Sequence, residues 1–257
     1  MLFSNNNFKS TYAWQTLRRV GGVAALTILA LMPIQMVVFL IWPPPSTVIG
    51  WFTLFQSNAL VGLIDMDLLL IVDYVLMLMV FLALWASLRR VNESLMAIAL
   101  ILQLVAVATY FASTTAFEML SLSNQYAAST TDAERSMFLA AGHTMIATWQ
   151  GTAFDVSYVV GAVALVLVSV VMLRSHRRLF SKATGYAGMF AGVLALVPAS
   201  AGMIGLFLSL MSLVPTAIWL VLIARRLLQP WSLEGNLSVP SKKNPNNNTY
   251  DEMYCGR

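Results

Sequence analysis

Five long apolar runs limit what this chain can fold into. They cover residues 20–42, 68–88, 95–111, 154–173 and 183–224. One helical crossing of a bilayer takes about 20 mainly apolar residues, so the last run is about twice the length that one span needs. We expect it to break at the PASAG segment of residues 198–202. The sequence therefore predicts an all-α integral membrane protein with six transmembrane helices.

Composition supports this fold class, and local composition divides the chain into three parts. Hydrophobic residues make up 59% of the chain and charged residues 10%, whereas a soluble domain carries roughly 25% charged residues. Residues 1–17 form a polar leader, which we expect along the inner headgroups. Residues 18–228 hold the six-helix transmembrane domain. Residues 229–257 lack apolar periodicity, so we expect a disordered cytoplasmic tail.

The positions of lysine and arginine predict the orientation of the spans. With the N-terminus in the cytoplasm, all of the 15 basic residues except Arg135 fall in cytoplasmic segments. Loops rich in lysine and arginine stay on the cytoplasmic side during insertion. Both termini are therefore expected in the cytoplasm. The net charge of +4 then reflects this bias, and we expect no nucleic-acid partner.

Two further helices are expected on the outer side. Residues 46–63 are apolar and aromatic but short, and counting them as a span would move Arg89 and Arg90 outside. We expect an interfacial or re-entrant helix there, because irregular backbone at membrane depth must be shielded by protein. Thr131 and Glu134 have the S/T-x-x-E form of a capping box. A helix should begin at this point, either as an interfacial helix or as an extension of the fourth span.

Small residues and prolines predict local features of the spans. Gly188 and Gly192 form a small-xxx-small pair, which is typical of helices in close contact. Pro33 and Pro215 are expected to kink their helices, because proline removes one backbone hydrogen bond. These four positions concern helix packing and do not point to a reaction.

Acidic residues are concentrated on the side opposite to the bases. The same topology places seven carboxylates outside or in the outer half of the bilayer: Asp65, Asp67, Asp73, Glu118, Asp132, Glu134 and Asp155. Arg135 is the one base expected on that side. This asymmetry is the strongest chemical feature of the sequence, and it predicts an outward-facing acidic pocket.

Five of these acids have a structural explanation. Asp65 and Asp67 precede the second span and Asp155 begins the fourth, where free amides and the helix dipole favour a carboxylate. Asp132 and Glu134 belong to the capping-box helix. For Asp67 and Asp155, ligand or cation binding is the alternative.

Asp73 and Glu118 lack that explanation. Asp73 is about two turns inside its helix, where the dipole effect has decayed. Glu118 is expected near the outward C-terminus of the third span, where a negative charge is disfavoured. An ionisable group within a span marks a functional site by default. Each therefore needs a partner, a bound cation or a proton; the alternative for Asp73 is a protonated acid bonded to a neighbouring helix.

Few side chains are available as partners of these acids. Tyr74 shares a helical face with Asp67, and Tyr158 shares one with Asp155, because they are seven and three residues apart. Tyr110 adds another hydroxyl. His143 is a candidate metal ligand or proton relay, with a purely structural role as the alternative.

Several cofactors and chemistries are excluded by residue type. The predicted spans contain no lysine for a retinal Schiff base, and the two histidines are expected on opposite sides, which opposes bis-histidine haem. No Rossmann or P-loop glycine pattern is present, so no nucleotide motif is identified. Cys255 is the single cysteine, which excludes a disulfide framework and a thiolate metal site within the chain.

Three segments carry a resemblance to a known family. They are NALVGLIDMDLLLIVDYVL at residues 58–76, LRRVNESLMAIAL at residues 88–100, and the stretch at residues 114–161. At these positions the chain resembles a family of uncharacterised prokaryotic membrane proteins, filed as domain of unknown function 4386. The similarity covers about residues 18–228. It implies six transmembrane helices in a prokaryotic plasma membrane, and it implies no catalytic motif or mechanism.

The sequence supports three functional hypotheses. The preferred one is binding or transport of a cation, proton or small ligand, with Asp73, Glu118 and Asp155 as acceptors. The second is a metal-dependent enzyme that acts at the outer leaflet, with His143 and carboxylates as ligands of the metal. The third is an accessory or assembly subunit whose acids only cap helices. Besides the lipid bilayer, its partner would be another membrane subunit or a second copy of the chain.

Overall fold

The computed structural model describes residues 4–175 and 179–229, and of residues 4–13 it describes the backbone alone. Within these ranges the chain forms helices and no strand. The helices are α1 (Ser4–Ile41), α2 (Val48–Ser57), α3 (Ala59–Asp65), α4 (Leu68–Leu88), α5 (Glu93–Ser113), α6 (Ala116–Ala128), α7 (Asp132–Trp149), α8 (Thr152–Arg174), α9 (Lys182–Leu194) and α10 (Gly202–Leu228). The predicted disordered tail lies almost wholly outside the described residues, as do Cys255 and His176.

Five helical stretches of the described residues are long and apolar enough to cross a bilayer. They are Trp14–Ile41, Leu68–Leu88, Glu93–Ala128, Asp132–Arg174 and Gly202–Leu228. The expected fifth span is α9, which has 13 residues and is about 20 Å long. This is shorter than the hydrocarbon core of about 30 Å. The chain is thus an all-helical protein with five candidate membrane spans by length, where the sequence predicted six.

Six of the helices pack in a closed ring, which we call the bundle. Helix α1 contacts α4 and α10, α5 contacts α4 and α8, and α9 lies between α8 and α10. The centre of the bundle is apolar and buried, and it includes Ala25, Leu84, Ala99, Val168 and Trp219. Although α9 is short, it occupies the same place in the ring as a full span.

Close packing of α9 confirms the prediction from its glycines. A Cβ atom on Gly188 would meet Ser169 Oγ and, at 2.6 Å, Trp219 Nε1. A Cβ atom on Gly192 would lie 2.7 Å from Val166 Cγ2. These distances are below ordinary van der Waals contact, so α8 and α10 can approach α9 this closely only where it carries glycine.

The outer faces of the last two helices carry large exposed apolar side chains. On α10 the exposed fractions are 81% for Met203, 73% for Ile204 and 63% for Phe207, and α9 exposes Tyr186 and Phe190. A continuous apolar surface of this kind is unfavourable in water. It is the surface that a helix presents to lipid, so it supports the assignment of a membrane protein.

Helices α2, α3, α6 and α7 form a second layer at one end of the bundle, which we call the cap. Its buried centre contains Val48, Trp51, Phe52, Met66 and Met119. Residues 46–63, expected as one interfacial or re-entrant helix, form α2 and α3, which are both too short to cross a membrane. The cap covers the acidic end of the bundle.

The start of α7 confirms the predicted capping box. Thr131 Oγ1 accepts a hydrogen bond from the Glu134 amide at 3.3 Å, and Glu134 Oε2 accepts from the amides of Thr130 and Thr131. Phe138 and Met145 face the cap cluster. Only the turn at residues 150–151 separates α7 from α8.

Two boundaries differ from the prediction. Helix α1 begins at Ser4 and runs to Ile41, so residues 4–17 of the polar leader belong to the same helix as the first span. The third predicted span ends at Ser113, and a separate helix, α6, follows it. Pro33 and Pro215 lie inside α1 and α10, and the kinks expected there stay a prediction.

Basic side chains lie at the end of the bundle opposite to the cap. We call this end the basic end. Arg18 donates to the Arg226 carbonyl at 3.5 Å, and Arg226 Nε donates to the Leu179 carbonyl at 2.6 Å. The Arg89 guanidinium lies 4.3 Å from the ring centre of Trp14. These contacts join residues 14–18 of α1, the end of α4, the end of α10 and the segment before α9. The two ends of the bundle therefore differ in charge, as the sequence indicated.

Candidate functional site

The turn between α3 and α4 places two aspartates where the cap meets the bundle. Asp65 is the last residue of α3, and Asp67 precedes α4. Asp67 has a φ of 68° and is the one non-glycine residue with a positive φ in the described part of the chain. Aspartate enters this left-handed region more readily than most residues. Residues held in such conformations are concentrated at functional sites.

Asp67 is buried and bonded to the end of α7. Its side chain is 7% exposed, and Oδ2 accepts a hydrogen bond from Trp149 Nε1 at 2.7 Å. Trp149 packs edge-on against Trp51, with 5.6 Å between the ring centres. Burial raises the pKa of Asp67 to about 7, the Trp149 bond opposes this rise, and the nearby Asp65 adds to it. Asp67 therefore changes its charge near neutral pH.

Asp65 is fully buried, and neither of its carboxylate oxygens has a hydrogen-bond partner among the described residues. Burial raises its pKa to about 6. An isolated ionised carboxylate in an apolar environment is strongly unfavourable, whereas the neutral acid is tolerated. The buried Asp65 carboxyl is therefore stable only with a bound proton, a bound cation or a hydrogen-bonded water molecule.

Asp73 and two tyrosines continue the buried polar group into the bundle. Asp73 Oδ1 is buried without a hydrogen-bond partner among the described residues, and so is the Tyr110 hydroxyl. The rings of Tyr74 and Tyr110 are stacked, with 4.0 Å between their centres. The Tyr110 hydroxyl lies within electrostatic range of Asp67 and Asp73. We call Asp65, Asp67, Asp73, Tyr74 and Tyr110 the acid cluster.

Two separate hydroxyl pairs connect α8 with its neighbours in the bundle. The hydroxyl oxygens of Tyr74 and Ser157 are 3.4 Å apart. Ser157 is fully buried, and the Tyr158 hydroxyl is bonded to Ser209 of α10. A hydroxyl can donate one proton and accept another. Ser157 donates its own hydroxyl proton to the Phe154 carbonyl at 2.7 Å. The two pairs therefore join α4 to α8 and α8 to α10, and each can orient bound water.

The expectation that Asp65 and Asp67 cap a helix start is wrong. Asp65 lies at the C-terminal end of α3, where the helix dipole disfavours negative charge. Asp67 occupies the N-cap position of α4 but makes no capping hydrogen bond with its side chain. The capping signal of this region belongs to Asn58, whose Oδ1 accepts from the Val61 amide at 3.2 Å and starts α3. The two acids are thus free of the structural role that the sequence suggested.

Glu118 and Asp155 do not belong to the acid cluster. Glu118 is exposed in the first turn of α6, where the dipole favours it, so the expected placement at a C-terminus is wrong. Asp155 lies in the first turn of α8, as expected, and accepts a hydrogen bond from Ser200. It ties the segment before α10 to the start of α8.

His143 is exposed on α7. The described residues contain no group of three or more histidine, cysteine, aspartate or glutamate side chains that could hold a metal ion. Arg135 is also exposed. A metal site built on His143, Asp73 and Glu118 therefore has no ligand set in the described part of the chain.

The sequence interpretation missed three residues of this region. Trp149 was not identified as the donor to Asp67. Ser157 and Ser209 were not identified, because single serines in apolar helices carry no distinctive pattern. Asp65 was identified, but as a cap. Trp149, Ser157 and Ser209 each contact a residue more than 50 positions away in the chain. A single sequence does not reveal such contacts.

Comparison of the chain with models of protein families, with curated proteins and with solved structures found no match. The resemblance to the family filed as domain of unknown function 4386 stays a prediction. The geometry of the acid cluster is therefore the basis for assigning a function to this chain.

Proposed function

We propose that the acid cluster binds and exchanges protons, and that the protein uses it for proton-coupled binding or transport across the membrane. The observation that carries this proposal is the burial of Asp65 with both carboxylate oxygens unpaired among the described residues. Burial of an ionisable group without a partner is unfavourable. Such groups inside membrane proteins typically mark proton or ion pathways.

A proton suits this site better than a divalent metal ion. Calcium takes six to eight oxygen ligands, and magnesium and zinc require regular ligand sets. No set of three acidic, histidine or cysteine ligands converges within the described residues. A proton needs a single carboxylate, and the pKa values of Asp65 and Asp67, about 6 and about 7, allow exchange near neutral pH.

The tyrosines give the proton a route from the turn into the bundle. The Tyr110 hydroxyl lies within electrostatic range of Asp67 and Asp73, and the Tyr110 ring is held in place by stacking on Tyr74. In this mechanism Asp67 accepts a proton at the cap, the Tyr110 hydroxyl relays it through bound water, and Asp73 is the acceptor within α4. Ionisation also changes the Asp67–Trp149 bond, because a carboxylate accepts a hydrogen bond more strongly than a neutral acid does.

A six-crossing topology with both termini in the cytoplasm is part of this proposal. It puts the basic end in the cytoplasm, in agreement with the positive-inside rule, and the cap outside. Two observations support it: α9 has its own place in the ring, and Ser200 beyond α9 bonds to Asp155 at the cap end of α8. The membrane is then the plasma membrane that the family resemblance implies.

An accessory role is the second candidate, favoured by the Asp67–Trp149 bond. This bond joins α7 of the cap to the start of α4, so the acids would hold the cap on the bundle. No comparable observation favours the metal-dependent enzyme. The two remaining functions differ in one respect: an accessory role does not require Asp65 or Asp73 to exchange protons.

Proton uptake into vesicles tests the proposal. The purified full chain is reconstituted with an internal pH-sensitive dye, and a potassium diffusion potential drives uptake. We expect uptake by the wild type, loss of uptake in Asp65→Asn and Asp73→Asn, and normal uptake in Glu118→Gln. The last variant is the matched control, because it removes one negative charge at an exposed position. Uptake that is absent from the wild type, or is unchanged in both asparagine variants, contradicts the proposal.

Infrared titration separates proton binding from transport. A protonated buried carboxyl has a resolved C=O stretch, which disappears when the group ionises. We expect a band that titrates near pH 6–7 in the wild type and in Glu118→Gln, and that decreases in Asp65→Asn and Asp67→Asn. A titrating band without proton uptake would favour the accessory role, in which protonation regulates how strongly the cap is bound to the bundle.

A further inference from the structure

A cleft opens at the basic end, far from the acid cluster. It lies between the loop from α4 to α5 and the C-terminal end of α8, and its volume is about 360 Å³. Its polar lining is Arg90, Asn92, Arg174 and Ser175, and three aliphatic side chains complete the wall. A volume of this size is within the range of small-molecule sites, about 300–1,000 Å³.

The polar groups of the cleft are hydrogen-bond donors available to an anion. Within residues 4–175 and 179–229, no hydrogen bond or ion pair occupies the guanidinium of Arg90 or Arg174. The Ser175 hydroxyl is buried without a partner among the described residues. Asn92 uses its Oδ1 to accept from the Leu95 amide at 3.0 Å, which leaves its amide N–H groups for a ligand. Two guanidinium groups and two further donors on one cleft match the oxygens of a phosphate group.

The position of the cleft indicates the depth of its ligand in the membrane. Helix α4 ends at Leu88 and α8 ends at Arg174, and both residues are the ends of candidate spans. The cleft is therefore level with the lipid headgroups. Glu93 is exposed nearby on the first turn of α5 but does not line the cleft, so no described carboxylate repels an anion inside it.

We propose that this cleft binds a phosphate group through Arg90 and Arg174, carried by an anionic lipid headgroup or by a free phosphate anion. The arginines supply planar forks that bind phosphate oxygens in pairs. The aliphatic wall fits the carbon atoms next to a phosphodiester better than it fits a fully hydrated ion. This function is separate from proton exchange, because none of the cleft residues belongs to the acid cluster.

Two binding titrations test the proposal with the purified full chain in a neutral detergent. Isothermal titration calorimetry measures binding of short-chain phosphatidylglycerol in one arm and of inorganic phosphate in the other. The test variant is Arg90→Gln with Arg174→Gln. Its matched control is Arg19→Gln with Arg225→Gln, which removes the same charge from exposed residues of the basic end that do not line the cleft.

We expect the wild type and the control to bind phosphatidylglycerol equally, and the cleft variant to bind it about 10-fold to 100-fold more weakly, because hydrogen bonds to charged groups are lost. The lysine variant Arg90→Lys with Arg174→Lys should be intermediate, since it keeps the charge without the fork. The same loss in the phosphate arm would identify a free anion as the ligand. Equal affinity in the control and the cleft variant, or no binding by the wild type in either arm, overturns the proposal.

Discussion

Replacement of Asp67 by asparagine tests the physical basis of the acid cluster. Asparagine tolerates the left-handed backbone at this position, and its side-chain oxygen can still accept the hydrogen bond from Trp149 Nε1. The substitution therefore removes the ionisation of residue 67 and little else. Any change in how stability depends on pH then comes from the lost titration.

The magnitude follows from the pKa of Asp67. Burial is the main reason why this pKa is about 7 in the folded protein, against 3.8 for an unperturbed aspartate. Between these values the folded chain holds a proton that the unfolded chain has released, so wild-type stability falls as pH rises. At about 1.4 kcal/mol per pH unit, the full loss is about 4 kcal/mol, of which about 3 kcal/mol occurs between pH 5 and pH 8.

Unfolding in mixed micelles, followed by far-UV circular dichroism during a dodecyl sulfate titration, measures this difference. The free energy of unfolding of Asp67→Asn minus that of the wild type should be about 3 kcal/mol larger at pH 8 than at pH 5, because only the wild type loses stability over this range. Some pH dependence should persist below pH 6, because the pKa of Asp65 is also raised. The exposed substitution Glu118→Gln should leave the wild-type dependence unchanged. If the wild type and Asp67→Asn respond to pH in parallel, the argument from burial is refuted.

Two further substitutions test individual contacts by the same titration. Trp149→Phe removes the donor to the Asp67 carboxylate and should lower the free energy of unfolding by about 1.5–3 kcal/mol at pH 8 and by less at pH 5, where the acid is neutral; an equal loss at both pH values would contradict the bond to an ionised group. Gly188→Ala should lower the free energy of unfolding by about 1–3 kcal/mol, because the new methyl group would overlap Trp219. Gly161→Ala is the control, since a Cβ atom there has its nearest neighbour at 3.6 Å, and a loss as large as that of Gly188→Ala would argue against the tight packing.

The sequence predicted the features that depend on local or bulk properties. Hydropathy identified the apolar helices, S/T-x-x-E identified the start of α7, and the glycine pair identified the close packing of α9. The same S/T-x-x-E form occurs at Thr115 and Glu118, directly before α6, and applying it there would have predicted that helix. Thr115 does not use its hydroxyl as a cap, since Oγ1 donates to the Met145 carbonyl at 3.3 Å, but the helix begins where the pattern indicates.

The burial of the acids could not be predicted from local sequence. Asp65 and Asp67 lie next to an apolar run, which is also the position where residues that cap the N-terminus of a helix are expected. Their burial comes from the cap, and the partner of Asp67 is 82 positions away in the chain. Tertiary contact of this kind overrides the local preference. For Asp73 no local pattern explained a carboxylate inside a helix, and its Oδ1 is buried without a hydrogen-bond partner among the described residues; its functional role stays a prediction.

The number of membrane crossings can be argued from the ends of α8 to α10. Helix α8 begins at the cap and ends at Arg174 of the basic end, and α9 begins eight residues later at Lys182. After α9, Ser200 bonds to Asp155 in the first turn of α8, so the chain has returned to the cap. Helix α9 and residues 195–201 together therefore connect the two ends of the bundle.

Single-cysteine labelling tests whether this connection is a sixth crossing of the membrane. In a Cys255→Ser background, Lys182→Cys and Ala201→Cys each add one thiol at an exposed position, and a membrane-impermeant maleimide is applied to intact cells and to inverted vesicles. Helix α9 is about 20 Å long, and the seven irregular residues 195–201 that follow it supply the rest of the distance across the membrane. We therefore expect Ala201→Cys to react in intact cells and Lys182→Cys to react in inverted vesicles. Reaction of both thiols from the same side would mean that α9 enters and leaves the membrane on one face. The chain would then have five crossings, and the cap and the C-terminal end of α10 would share one side of the membrane.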